Sequence, residues 1–187
     1  MVNEEEALKL LLDKWNRATD KQKQLGRTWY LKAHDYALFL SFKYEVSLEK
    51  SAGTIAALSP RNKWADNKKD AASAIEVFKE GGDIHKVKLS STHPNRDNVV
   101  RILNGVNPDK TLGQKSKSFY RCIYNPLTDE VCVDVWAARA LNYTEKWIAK
   151  KDYPILQSYY QKAAKEVGTL PPIMQATVWI VERGRAD

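Results

Sequence analysis

Apolar residues recur along this chain with the period of helices, and short polar breaks separate the stripes. Leu8, Leu11, Leu12 and Trp15 share one face of a first helix. Asn3 with Glu6 three residues on opens it, as in a capping box. Gly26 is expected to break the chain ahead of a second stripe made of Trp29, Ala33, Tyr36, Ala37 and Leu40. Residues 51–58, SAGTIAAL, are all small or apolar, which predicts a helix buried on every side. Ser59-Pro60 ends it, because proline disfavours the helical conformation of the residue before it.

Ala71, Ile75 and Phe78 predict a helix from about Asp66 to Lys79, stopped by Gly81-Gly82. Residues 81–96 and 105–114 read as polar loops on either side of a short helix carrying Val99, Val100 and Leu103. A further helix carries Phe119, Cys122 and Ile123 and breaks at Asn125-Pro126. Val131 and Val133 alternate with Cys132 in a short extended segment. Asp134 then stands at a helix N-cap position before Val135, Trp136, Ala138 and Leu141. Asp152 and Pro154 open a helix that Gly168 closes, and Pro171-Pro172 opens the last one. No run of strands appears, so the expectation is an all-α fold and a single domain over 1–187. Within it, an N-terminal helix in 1–25 packs on a core over 27–184.

Composition narrows the classes. No apolar run approaches the ~18 residues of a spanning helix, so no membrane partner is expected. The start, MVNEEEALKL, lacks the basic-then-apolar pattern of a secretory leader. The two cysteines, Cys122 and Cys132, are too few for a four-thiolate cluster, and they suit a reducing compartment. His34, His85 and His93 are scattered without ligand spacing, so neither a metal nor another cofactor is expected. Thirty Lys and Arg against 23 Asp and Glu leave a net charge of +7, and the segment from Arg61 to Lys117 is rich in lysine and arginine. A positive domain attracts polyanions, nucleic acid foremost.

Two segments carry candidate chemistry. Leu112-Gly113-Gln114-Lys115-Ser116-Lys117 is a glycine turn entering a helix with lysine at its mouth. Its backbone amides could hold a phosphate. Val133-Asp134-Val135-Trp136 delivers a carboxylate onto a helix start. Breaking an N-glycosidic bond builds positive charge on the sugar, which a fixed carboxylate stabilises. A lysine amine of lowered pKa can attack the sugar carbon and form a Schiff base. Each residue also has a plainer reading. Asp134 serves as an N-cap, Lys115 as a surface or phosphate-contacting lysine, Arg61 and Asn62 as turn residues, and Trp64 and Trp136 as core.

In these motifs the chain resembles the helix-hairpin-helix DNA glycosylases of the endonuclease III type. Gly113-Gln114-Lys115 is similar to their Gly-x-Lys hairpin end. Val133-Asp134-Val135-Trp136 is similar to their Val-Asp-x-His segment, with tryptophan in place of histidine. Ala56-Ala57-Leu58-Ser59-Pro60-Arg61-Asn62, followed by Trp64 and Asn67, resembles the turn that wedges a side chain into DNA. Pro171, Pro172, Met174, Gln175 and Ala176 resemble the final helix. The fuller Leu-Pro-Gly-x-Gly hairpin and the four-cysteine cluster loop are absent.

The resemblance implies a multi-helix bundle with an active-site cleft and an enzyme, a DNA N-glycosylase that repairs DNA by excising a flipped damaged or modified base. Asp134 and Lys115 would be catalytic, with Lys117 able to take the lysine's place. Arg61, Asn62, Lys63, Gly113 and Lys117 would contact DNA, with Arg61 or Asn62 the wedge, and Trp64 and Trp136 would wall the base pocket. The expected partner is double-stranded DNA, bound by a monomer in the cytoplasm of a bacterial or phage-infected cell. A base-hypermodifying transferase on the same scaffold and a non-catalytic DNA-binding protein are the alternatives.

Overall fold

A computed structural model describes residues 2–91 and 93–185, with the backbone alone at His93. Among these residues the chain is all-α, without a β-strand. The helices run in the order α1 (Glu4–Arg17), α2 (Asp20–Tyr44), α3 (Leu48–Leu58), α4 (Trp64–Lys79), α5 (His93–Leu103), α6 (Pro108–Thr111), α7 (Gln114–Tyr124), α8 (Val135–Arg139), α9 (Tyr153–Glu166) and α10 (Pro171–Arg183). A 3-10 turn at Ile84–Lys86 lies between α4 and α5.

Local signals account for most boundaries. Asn3 Oδ1 accepts the Glu6 N–H at 2.9 Å, and Glu4, Glu5 and Glu6 occupy the first turn of α1, where the helix dipole favours negative charge. The Ser47 hydroxyl accepts the Lys50 N–H to start α3. Prolines stand in the first turns of α6, α9 and α10, where a missing N–H removes nothing from the helix. Gly184, at φ 72°, closes α10 in the left-handed region.

The structure departs from the sequence pattern at Gly26 and in the two loops. Gly26 does not break the chain but lies inside the 25-residue α2. A Cβ there would meet Thr177 Oγ1 at 2.0 Å and Thr177 Cα at 3.0 Å, so this glycine marks a close helix crossing. The two loops are shorter than expected: α5 already begins at His93, and α6 forms at Pro108 behind Asn107, whose side chain accepts the Asp109 N–H at 2.7 Å. The extended segment expected at 131–133 is non-helical, as read from the sequence. Val131, Cys132 and Val133 are all buried, and two side chains of α9 meet this backbone: Tyr153 Oη accepts from Val133 N–H, and Gln157 donates to the Val131 carbonyl.

Two compact units make up the chain. The first holds the described residues up to Lys32 and those from Asn125 onward. Its core gathers Leu11 and Trp15 of α1, Val131, Val133, Ala137 and Leu141 around α8, Leu156 and Tyr160 of α9, and Met174 and Val178 of α10. The second unit is Ala33–Tyr124. Here α3 is the axis, with α4, α5, α6 and α7 packed on it. Every residue from Ser51 to Leu58 is buried, as the small side chains predict. Helix α2 belongs to the first unit in its N-terminal half and to the second in its C-terminal half.

A buried guanidinium holds the loop that precedes α5. Arg96 donates to the carbonyls of His85 and Val87 at 2.8 Å each, and to those of Ser91 and Leu89 at 3.3 Å. The Asp70 carboxylate receives the Ser90 N–H at 3.0 Å and the Asn62 amide at 2.9 Å, so it ties this loop to the turn between α3 and α4. Buried polar groups are retained where such partners are complete.

Two expectations follow. Gly26→Ala lowers stability by about 1–3 kcal/mol through overpacking against Thr177, although alanine is the better helix former by ~1 kcal/mol. The sign of the change in a denaturant titration checks it. Tyr160 is wholly buried, and burial, aided by the charges of Asp134 and Glu182, pushes its hydroxyl well above the ordinary tyrosine range. Below about pH 10 both folded and unfolded chains keep this proton and stability is complete. Above it the unfolded chain loses the proton while the folded chain keeps it, so stability falls with rising pH. Denaturation midpoints at mildly alkaline and strongly alkaline pH, compared with those of Tyr160→Phe, test this assignment.

Candidate functional site

The first unit places Asp134 at the N-cap of α8. Its Oδ1 accepts the backbone N–H of Trp136 at 3.0 Å and of Ala137 at 2.8 Å. Its Oδ2 accepts the indole N–H of Trp179, from α10, at 2.9 Å. A carboxylate offers about four lone-pair sites. Three are engaged here, so one on Oδ2 remains, and the side chain is only half-buried. The short helix behind it is braced from below, since Tyr160 of α9 donates to the Ala137 carbonyl at 2.8 Å.

Rings and guanidinium groups cluster around the indole that binds this carboxylate. The Arg183 guanidinium lies 4.2 Å from the Trp179 ring centre and 5.8 Å from that of Trp136. Arg139 lies 4.8 Å from the Trp136 ring. Trp29 of α2 meets Trp179 edge to face at 6.2 Å. Helical spacing produces the pairs, three residues apart for Trp136–Arg139 and four for Trp179–Arg183. Trp136, Trp179 and Arg183 are half-buried, and Arg139 is exposed. The cluster therefore combines a fixed anion, aromatic faces and cations at one surface. Arginine is suited to such a place because its planar group stacks on rings while its edge still reaches phosphate or carboxylate.

The second unit holds the other candidate residues. Arg61, Asn62, Lys63 and Trp64 form the turn from α3 into α4. Arg61 is exposed and held at φ 59°, a left-handed conformation that few non-glycine residues adopt. Asn62 turns inward, donating to the Leu58 carbonyl at 3.3 Å as well as to Asp70. Lys63 is the exposed N-cap residue of α4. Trp64 is half-buried and meets Tyr36 edge to face at 6.4 Å. Gly113, Lys115 and Lys117 lie at the start of α7. Gly113 is exposed, and a Cβ there would meet nothing within 4 Å, so neither packing nor backbone conformation demands glycine at that point. The Lys115 amine lies 5.6 Å from the Phe119 ring. Asp134 and Trp136 thus belong to one unit, and Lys115, Lys117 and the Arg61 turn to the other.

Sequence reasoning missed Trp179, Arg183 and Arg139 as neighbours of Asp134. The four-residue spacing of Trp179 and Arg183 on the last helix was a usable signal. Nothing local, however, announces that an indole N–H from α10 reaches a cap in front of α8. Among the described residues no three His, Cys, Asp or Glu side chains come together as metal ligands. No described helix is long and apolar enough to cross a membrane.

The protein is thus an all-helical one that carries a capped carboxylate within a tryptophan–arginine cluster. It belongs to a family described as of unknown function (DUF7178), whose model matches residues 1–186. No curated protein and no solved structure matches the chain.

The double duty of Asp134 generates a stability test. In Asp134→Asn a single amide oxygen cannot serve α8 and Trp179 together, and the amide hydrogens would face an N–H. The expected loss is about 1–2 kcal/mol, read from urea midpoints. An unchanged midpoint would count against the observed hydrogen bonding.

Proposed function

We propose that this protein acts on DNA as a base-excising N-glycosylase, with Asp134 as the carboxylate that stabilises the developing sugar cation. The observation that carries the reading is the state of that carboxylate. It is held in one orientation by two backbone N–H groups and an indole, yet is half-buried with an acceptor site in hand. A group fixed in this way needs no reorganisation as charge develops, which is the condition for electrostatic stabilisation of a transition state. The base departs with the electron pair of the broken N-glycosidic bond and takes up a proton. Water adds to the sugar carbon, and its proton passes to Asp134 or to solvent. Trp136 and Trp179 offer faces for an unstacked base. Arg139 and Arg183 offer partners for phosphates. The basic balance of the chain, +7 overall, supports a polyanionic substrate. A Schiff-base lyase step would draw on Lys115 or Lys117.

The same hydrogen bonds support a second reading, a non-catalytic DNA-binding protein in which Asp134 only shapes α8. One experiment separates the two. Duplexes carrying single uracil, 5-hydroxymethyluracil, 8-oxoguanine or 3-methyladenine are incubated with the protein, and base release is followed by strand scission in hot alkali. The glycosylase reading expects release of at least one base and a fall of ~10²-fold or more in Asp134→Asn, shown by circular dichroism to be folded, with duplex affinity little changed. Borohydride trapping of a protein–DNA adduct, lost in Lys115→Ala or Lys117→Ala, would establish the lyase step. Release by Asp134→Asn at the wild-type rate would overturn the proposal. So would duplex binding without release from any of the four substrates, which is the outcome of the second reading.

A further inference from the structure

In the second unit, the C-terminal half of α2 exposes rings that folding alone would hide. Phe42 is 81% exposed and Phe39 53% exposed. With Tyr36 they follow one another every three residues, so the rings wind from Tyr36, beside the face that buries Ala33, Ala37 and Leu40, round to Phe42 on the opposite side. Tyr36 stacks on Phe39, with ring centres 5.9 Å apart and planes 29° apart. Trp64, at the start of α4, extends the aromatic surface from Tyr36. Cations are interleaved with the rings. The Lys68 amine lies 5.6 Å from the Tyr36 ring and 5.8 Å from the Trp64 ring, and Lys43 stands one turn beyond Phe39. Asp35, one turn before Phe39, and Glu76, whose carboxylate accepts from the Tyr44 hydroxyl that the Lys43 amine meets, are acidic neighbours of this arc.

We infer that this strip of α2 and α4 is a binding surface for single-stranded nucleic acid, separate from the Asp134 cluster. The chemistry of the patch selects the occupant. An apolar protein partner calls for aliphatic and aromatic cover without charge at its centre, because charged groups are depleted in the core of such interfaces. Here the Lys68 ammonium lies over the Tyr36 and Trp64 rings. Unpaired bases stack on exposed aromatic faces in any sequence, and lysines track the phosphates between them. In a duplex the base faces are already stacked on one another, so exposed rings favour the single strand.

The full-length protein is titrated with a 5′-fluorescein-labelled oligothymidylate of about 15 nucleotides, long enough for one site. Anisotropy is read between roughly 50 and 200 mM salt. The inference expects salt-dependent binding that weakens about tenfold or more in Phe39→Ala/Phe42→Ala. That variant alters solvent-facing rings, and circular dichroism confirms its fold. Lys43→Gln/Lys68→Gln should flatten the salt dependence, by a slope of about 0.7 for each lysine that meets a phosphate. Asp134→Asn should bind the strand as the wild type does, so loss of base release and loss of strand binding are read independently. Wild-type affinity in the double phenylalanine variant would overturn the inference, as would no strand binding at the lowest salt. A wild-type dimer that Phe42→Ala makes monomeric, with strand affinity untouched, would also overturn it and assign the strip to a second copy of the chain.

Discussion

In each unit, two elements approach more closely than a Cβ permits. In the first, Gly26 of α2 sits against Thr177 of α10. In the second, Gly53 of α3 sits against Ile102 and Pro108, where an added Cβ would meet Pro108 Cγ at 2.7 Å. Close-packed interiors do not absorb an extra carbon at such points without moving a backbone. The remaining architecture follows from these contacts. With α3 reduced to small residues, four helices can gather around it, and with α2 seated on α10, Tyr30 reaches Gln175 of that helix, to which it donates at 2.9 Å.

The same first unit shows how one charged side chain serves structure and leaves room for chemistry. Asp134 satisfies two of the N–H groups that any helix start leaves unpaired, and it supplies the acceptor for a half-buried indole. A five-residue helix such as α8 gains little from its own hydrogen bonds. Its position depends on that cap and on Tyr160 beneath it. The capped carboxylate is rigid, and arginines stacked on tryptophans cluster around the indole that binds it. A carboxylate already held in place needs no reorganisation as a sugar cation forms, and the proposed activity rests on this arrangement.

Polar groups are handled differently in the second unit. Arg96 places its guanidinium among backbone carbonyls of a loop that has almost no regular structure. Asp70 then joins that loop to the turn that presents Arg61. Arg96 and Asp70 are satisfied by groups of the loop and the turn that they join, which holds irregular backbone in place. Arg61 keeps its left-handed conformation in a turn whose next residue, Asn62, is hydrogen-bonded inward through its backbone N–H and its side chain.

What the sequence determined by itself was local. The stripe from Leu8 to Trp15, the small residues of 51–58, the Asn3 cap and the prolines of the last helices are statements about neighbours within a few residues, and hydrogen-bond geometry enforces them wherever they occur. The N-cap role of Asp134 was legible for the same reason. Tertiary structure decided the meaning of Gly26, which local propensity marks as a break and Thr177 makes a crossing point. It decided that Gln157 and Tyr153 of α9 meet the backbone of Val131 and Val133. It decided, too, that Trp179, with Arg183 over its ring, reaches Asp134, and that the rings of Phe39 and Phe42 face water. Those facts depend on residues far apart in sequence, and only packing brings such residues within reach of one another.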